Sequence, residues 1–78
     1  MQVHVKLHSI LRDYLPRAAK GKASLTLDEG ATVAHLLQRL QITRRCIVMV
    51  NGKEISDWEH MLRDGDDVHM LVALGGGT

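Results

Sequence analysis

Residues 2 to 8 alternate between apolar and polar: Val3, Val5 and Leu7 fall on one side, and Gln2, His4, Lys6 and His8 on the other. A period of two is the signature of a strand with one face in the core and one in water. The alternation stops at SILRDYL, where Ile10, Leu11, Tyr14 and Leu15 predict a short helical or irregular apolar patch limited by Pro16. Residues 17 to 22, RAAKGK, read as an exposed turn ending at Gly21. Alternation then resumes, with Ala23, Leu25 and Leu27 against Ser24 and Thr26, as a second strand joined to the first by a longer hairpin connection.

After the punctuation of DEGAT the period changes. Thr32 can cap a helix, and Val33, Leu36, Leu37 and Leu40 follow at helical spacing, which places four apolar side chains on one stripe. Residues 45 to 50, RCIVMV, are apolar on both pleated faces and predict a central strand; Asn51-Gly52 then supplies a two-residue hairpin turn into KEI. DWEHMLRDGDD predicts a short turn or helix followed by an Asp64-Gly65 turn. The last strand is expected from about Asp67 to Leu74, with Val68, Met70, Val72 and Leu74 on one face and His69, Leu71 and Ala73 on the other. Four or five strands and one principal helix must share a single core. The economical arrangement is an α+β fold in which a mixed sheet wraps one face of the helix, residues 1–74 forming the domain and 75–78 a glycine-rich tail.

Composition narrows the chemistry. With 78 residues the chain has room for one small core and no deep self-built cleft. Ten Lys and Arg against nine Asp and Glu leave a formal charge of +1, which gives no electrostatic footprint for nucleic acid or anionic lipid. Aromatic content of 3% and the lack of Phe likewise leave no stacking platform for single strands. No apolar run is long enough to span a bilayer, and MQVHVKL lacks the layout of a secretory signal; together with a single cysteine this makes a cytoplasmic protein the expectation.

Catalytic and metal-binding readings find little support. Cys46 lies in an apolar strand, where packing is expected rather than attack. The five histidines, at 4, 8, 35, 60 and 69, have no compact ligand spacing, so no metal is expected. Adjacent Glu59 and His60 do not make an opposed acid–base pair, and the acidic residues around Asp64 lack the oxygen spacing of a calcium loop. The GGG run follows the last strand with no lysine or helix behind it, so it does not cradle a phosphate.

The tail is the informative feature. Gly75, Gly76, Gly77 and Thr78 have no large side chain to bury. Glycines without Cβ can enter a narrow partner channel and bring a main-chain carboxyl carbon to another protein's catalytic centre. Fraying is the alternative. Ile47, Met49 and Leu71 are candidates for an apolar docking patch on the sheet face opposite the helix, with Arg44 and Arg45 as a positive rim; core packing and solvated charge are the competing readings.

The order of VHVKLHSILRDYL, the TVAHLLQRL helix, the IVMVNGKEI hairpin, the DGDDVHMLVALGG segment and the nearly terminal glycines resembles the ThiS/MoaD sulfur-carrier family, of ubiquitin-like β-grasp fold. That resemblance implies a non-enzymatic carrier. An E1-like adenylating enzyme would use ATP on the carboxylate of a terminal glycine, and a sulfur donor would convert it to a thiocarboxylate. The sulfur would then pass to a molybdopterin synthase large subunit or to thiazole synthase, the length lying somewhat closer to the molybdopterin branch. The carrier itself would bind no cofactor. The family commonly ends in Gly-Gly, whereas Thr78 here follows Gly77. A reactive Gly77 therefore implies that a C-terminal peptidase removes Thr78, with Gly76 giving backbone access beside it; a diverged member is the other reading. A modifier conjugated to proteins through its terminal glycine, and a noncovalent β-grasp adaptor, are the alternative functions.

Overall fold

The computed structural model describes residues 1–15, 17–43 and 45–72. The alternating opening forms strand β1, Gln2–Leu7, and the connection after it contains two 3₁₀ segments, Ser9–Tyr14 and Arg17–Ala19. β2, Lys22–Thr26, returns antiparallel beside β1, with Val3 opposite Leu25 and Val5 opposite Ala23. Helix α1, Val33–Leu40, crosses one face of the sheet. β3, Cys46–Val50, turns into β4, Lys53–Ile55, and β5, Asp67–Val72, is the last element among the described residues. The order across the sheet is β2-β1-β5-β3-β4, with β1 and β5 parallel and the other pairs antiparallel.

This is the mixed sheet on one helix expected from the pattern, with five strands. β3 has neighbours on both sides, but the middle position belongs to β5. Positions 73 and 74 of the expected last strand, like Pro16, lie outside the described residues.

The core sits between sheet and helix. Val3, Val5 and Leu7 from β1, Val48 from β3 and Val68 and Met70 from β5 meet Val33, Leu36 and Leu40 of α1, all buried. Burial of each such side chain contributes about 1.5–3 kcal/mol. Leu37, the fourth residue of the stripe, is half-buried at its margin. Leu11 in the first 3₁₀ segment is fully buried in the same core, against which Tyr14 and Leu15 also pack.

Thr32 caps α1 as expected: its Oγ accepts the His35 amide at 3.4 Å, while His35 Nδ1 accepts the Thr32 amide at 2.9 Å. The remaining free donors of the first turn are met by the chain after β4. Val33 N–H donates to the His60 carbonyl and Ala34 N–H to that of Trp58. The segment 56–62 is accordingly a turn rather than a helix: the Asp57 carbonyl accepts the His60 amide, but the carbonyls of Trp58 and His60 are directed at α1.

RAAKGK departs from the exposed turn expected. Its first part is 3₁₀, its last residue already belongs to β2, and Gly21 is buried, its carbonyl accepting the Leu7 amide at 2.6 Å.

Asn51 and Gly52 take φ of 52° and 83°, the two positive values a tight hairpin turn of matching twist requires. Asn51 does more than turn the chain. Its Nδ2 donates to Asp66 Oδ1 at 2.9 Å and its Oδ1 accepts the Asp67 amide at 3.0 Å. Asp66, 8% exposed, also accepts the Arg63 amide at 2.8 Å. The two turns are thereby tied together beneath β5. Asn51→Gly retains the left-handed backbone but strands the partly buried carboxylate, and is expected to cost about 1–3 kcal/mol of unfolding free energy in urea melts.

Candidate functional site

Side chains alternate across the pleat, so the strands that bury one face against α1 display the other. Register arranges that open face in rows. One row runs Lys22, Lys6, His69, Met49, Glu54 from β2 to β4, through the pairs Lys6↔Lys22, Lys6↔His69, Met49↔His69 and Met49↔Glu54. Beside it Leu71 lies opposite Ile47, and on the other side Asp67, His4 and Ser24 line up across β5, β1 and β2.

Ile47, Met49 and Leu71, picked out in the sequence as an apolar patch, are brought together here on adjacent strands, each half-buried. Met49 and Leu71 line an open groove of about 600 Å³ together with His8, His69, Asp67 and the Asn51-Gly52 turn. Arg45 is exposed and precedes β3 at the edge of the sheet where β5 finishes, since Cys46 pairs with Val72. Arg44 and the tail, Gly75, Gly76, Gly77 and Thr78, lie outside the described residues. β5, held by β1 on one side and β3 on the other, aims the chain towards that tail from the middle of the sheet.

One feature of this face is not apparent in the sequence. His8, just past β1, and His69 on β5 are 61 residues apart, yet His8 Nε2 lies 3.1 Å from His69 Nδ1. The ring centres are 5.3 Å apart and the planes differ by 16°. That separation is close to the most that two imidazoles joined through such a contact can span. Ring centre, nitrogen, nitrogen and ring centre therefore run nearly straight, as in an N–H···N hydrogen bond with one ring donating and the other accepting. The only sequence signal is the shared outward parity of His8 and His69 on strands that turn out to be neighbours. Among the described residues no cluster of three or more His, Cys, Asp or Glu is arranged to hold a metal.

Burial, and then the positive charges of His69, Lys6 and Arg12, hold His8 below the usual histidine value of about 6.5. The unfolded chain thus binds more protons than the folded one below that value. The contribution of His8 to stability is complete above about pH 6.5 and is lost as the pH falls through 6.5 towards the folded value. Urea midpoints are expected to fall on acidification from about pH 7.5 to 5.5 in the native chain, and less steeply in His8→Gln. Cys46 sits on the opposite, core-facing side of β3, where burial pushes its thiol up and leaves it inert.

A five-stranded mixed sheet with parallel first and last strands, folded over one helix, is the ubiquitin-like β-grasp architecture. The family model described as the ThiS family matches residues 14–77, and the chain belongs to this family of ThiS/MoaD sulfur carriers. Solved structures share the fold. A candidate molybdopterin-converting factor subunit 1 from Pyrococcus furiosus superposes with a TM-score of 0.77 at 22% identity, over 95% of this chain and 99% of that one. Small archaeal modifier protein 1 from Haloferax volcanii gives 0.76 at 17% identity, over 94% and 98%. One chain of the complex of subunit 1 and 2 of molybdopterin-converting factor from Helicobacter pylori gives a TM-score of 0.68 at 19% identity, over 99% of this chain and 100% of that one. No curated protein matches the chain by sequence.

Proposed function

We propose that this chain is a consumable sulfur carrier whose reactive atom is the carboxyl carbon of Gly77. The observation that carries the reading is the family match running to residue 77, through the whole glycine run, on a tail that follows the central strand. An E1-like partner would use ATP to adenylate the Gly77 carboxylate, with loss of pyrophosphate. A carboxylate resists nucleophiles because no good leaving group is present; as an acyl-adenylate it presents AMP. A sulfur donor then replaces AMP and leaves the thiocarboxylate. The fold supplies recognition and the partner supplies acid, base and nucleotide, so the chain is a protein co-substrate rather than a catalyst.

Thr78 holds the Gly77 carboxyl in an amide, which has no free oxygen to adenylate, so a peptidase must first remove it. Within the family we favour delivery to molybdopterin synthesis, supported by the likeness to two structures described as molybdopterin-converting factor subunits. The likeness to a small archaeal modifier keeps one second reading, conjugation of Gly77 to lysines of other proteins.

Intact-protein mass spectrometry with C-terminal fragmentation tests this. Chains ending at Gly77 and at Thr78 are incubated with the adenylating enzyme of the same cell, ATP and a sulfur donor. Exchange of one Gly77 oxygen for sulfur in the shorter chain alone is the expected result. The same exchange in an intact Thr78 chain removes the processing step. An unmodified Gly77 chain, beside a converted control carrier, removes the carrier reading, and a lysine-linked product moves the assignment to a modifier.

A further inference from the structure

The open face has a second groove beside the apolar one, lined by His4, Lys6, Lys22, Ser24, Asp67 and His69, and the two share Asp67 and His69. They form one continuous surface, cationic towards β2 and apolar towards β3. Lys6 and Lys22 are directly opposite one another on neighbouring strands, and His69 flanks Lys6 on its other side. Like charges in register weaken a sheet. Asp67 lines the same groove, but among the described residues no carboxylate lies within ion-pair distance of Lys6 or Lys22. In a chain whose overall charge is only +1, this row is a local concentration of charge rather than a reflection of composition.

The histidine pair stands at the junction of the two grooves. Around it are Lys6 from β1, Arg12 from the first 3₁₀ segment, Lys22 beyond Lys6 on β2, Asp67 two residues back on β5, and Met49 across on β3. An in-line N–H···N bond fixes what the pair can do with protons. Neutral, one ring donates and the other accepts. A first added proton leaves the bond in place, now with an imidazolium as donor. A second would put hydrogens on both facing nitrogens and drive the rings apart. In the free chain, burial and then the neighbouring positive charges disfavour a proton on His8. An approaching carboxylate reverses that balance.

We propose that this face recognises a carboxylate-bearing surface of the activating partner, with Lys6 and Lys22 pairing with its acids and His8, held against His69, taking up a proton as the complex forms. The proposal rests on the carrier reading above and adds the chemistry of the partner surface. Ile47, Met49 and Leu71 give the contact an apolar centre, and the lysine row sets orientation and speeds encounter. Because proton uptake is coupled to docking, binding tightens as the pH falls towards the histidine range.

The test is steady-state adenylation of the Gly77-ended chain by the adenylating enzyme of the same cell, read as pyrophosphate release. The KM for the carrier is expected to rise with ionic strength. Lys6→Gln/Lys22→Gln should raise KM about two- to thirtyfold, the equivalent of two exposed ion pairs, with kcat unchanged and a flatter salt dependence. Removing like charges from facing strands does not threaten the fold, and a thermal melt confirms it. Between about pH 7.5 and 6 the KM of the native chain should fall relative to that of His8→Gln, by at most about tenfold per pH unit, the limit for uptake of one proton. An unchanged KM and salt dependence in the lysine variant overturns the inference while adenylation of the native chain leaves the carrier reading standing. So does an effect of the same size from Arg45→Gln with none from the lysines. If the native chain is never adenylated, both fall together.

Discussion

Gly21→Ala is expected to lower the free energy of unfolding by about 2–4 kcal/mol, a large part of the roughly 4–12 kcal/mol available to a domain of this size. Two independent costs add. Gly21 has φ of +78°, where a Cβ meets its own backbone at a cost of about 1–2 kcal/mol. The position is also tight. A Cβ there would stand 2.6 Å from the Leu7 carbonyl oxygen and 2.9 Å from Arg12 Cγ. The arginine can swing away, but Leu7 cannot, because β1 is paired on both sides and its side chain is in the core. Thermal midpoints should drop by roughly 10–25 °C. Gly30→Ala is the control, with φ of +85° and no atom within 4 Å of the added methyl, so it carries the backbone cost alone. Equal losses at the two positions would show that the close approach is not what Gly21 is for.

The second large effect concerns chemistry and should leave stability untouched. A chain shortened to residue 74 retains every strand pair named above, the last being Cys46 with Val72, and is expected to melt at the native temperature. It should yield no thiocarboxylate at any concentration, since the atom proposed to be activated is gone. It should nevertheless inhibit adenylation of the Gly77-ended chain competitively, with an inhibition constant near the KM of that chain, because the proposed docking face is intact. Loss of inhibition together with loss of product would place recognition in the tail and not in the sheet.

How far the fold is readable from the chain depends on how local each cause is. The β1 alternation, the α1 stripe, the Thr32 cap and the Asn51-Gly52 turn depend on neighbours within a few residues, and each stands where the pattern puts it. Gly21 was legible as a glycine at a turn but not as buried, because the atoms that crowd it come from Leu7 and Arg12. Asp66 read as one acid among several at a turn; its role comes from Asn51, fifteen residues away. The apolar patch was visible as strands with two greasy faces. The facing lysines were not, since they need the exact β1–β2 register, which a long connection does not fix; nor was the histidine pair, which needs β1 and β5 to become parallel neighbours, something nothing local specifies.

The placement of β5 has a mechanical consequence. A partner that draws the tail into its channel pulls on a strand bonded along both edges, parallel to β1 and antiparallel to β3. Tension directed along β5 and resisted by the start of β1 loads the β1–β5 ladder in shear. Its hydrogen bonds share the force and must give way together, unlike those of a hairpin opened from its end. β5 is thus a rigid anchor against traction, and an enzyme that clamped the glycines as proposed would strain them without unravelling the domain.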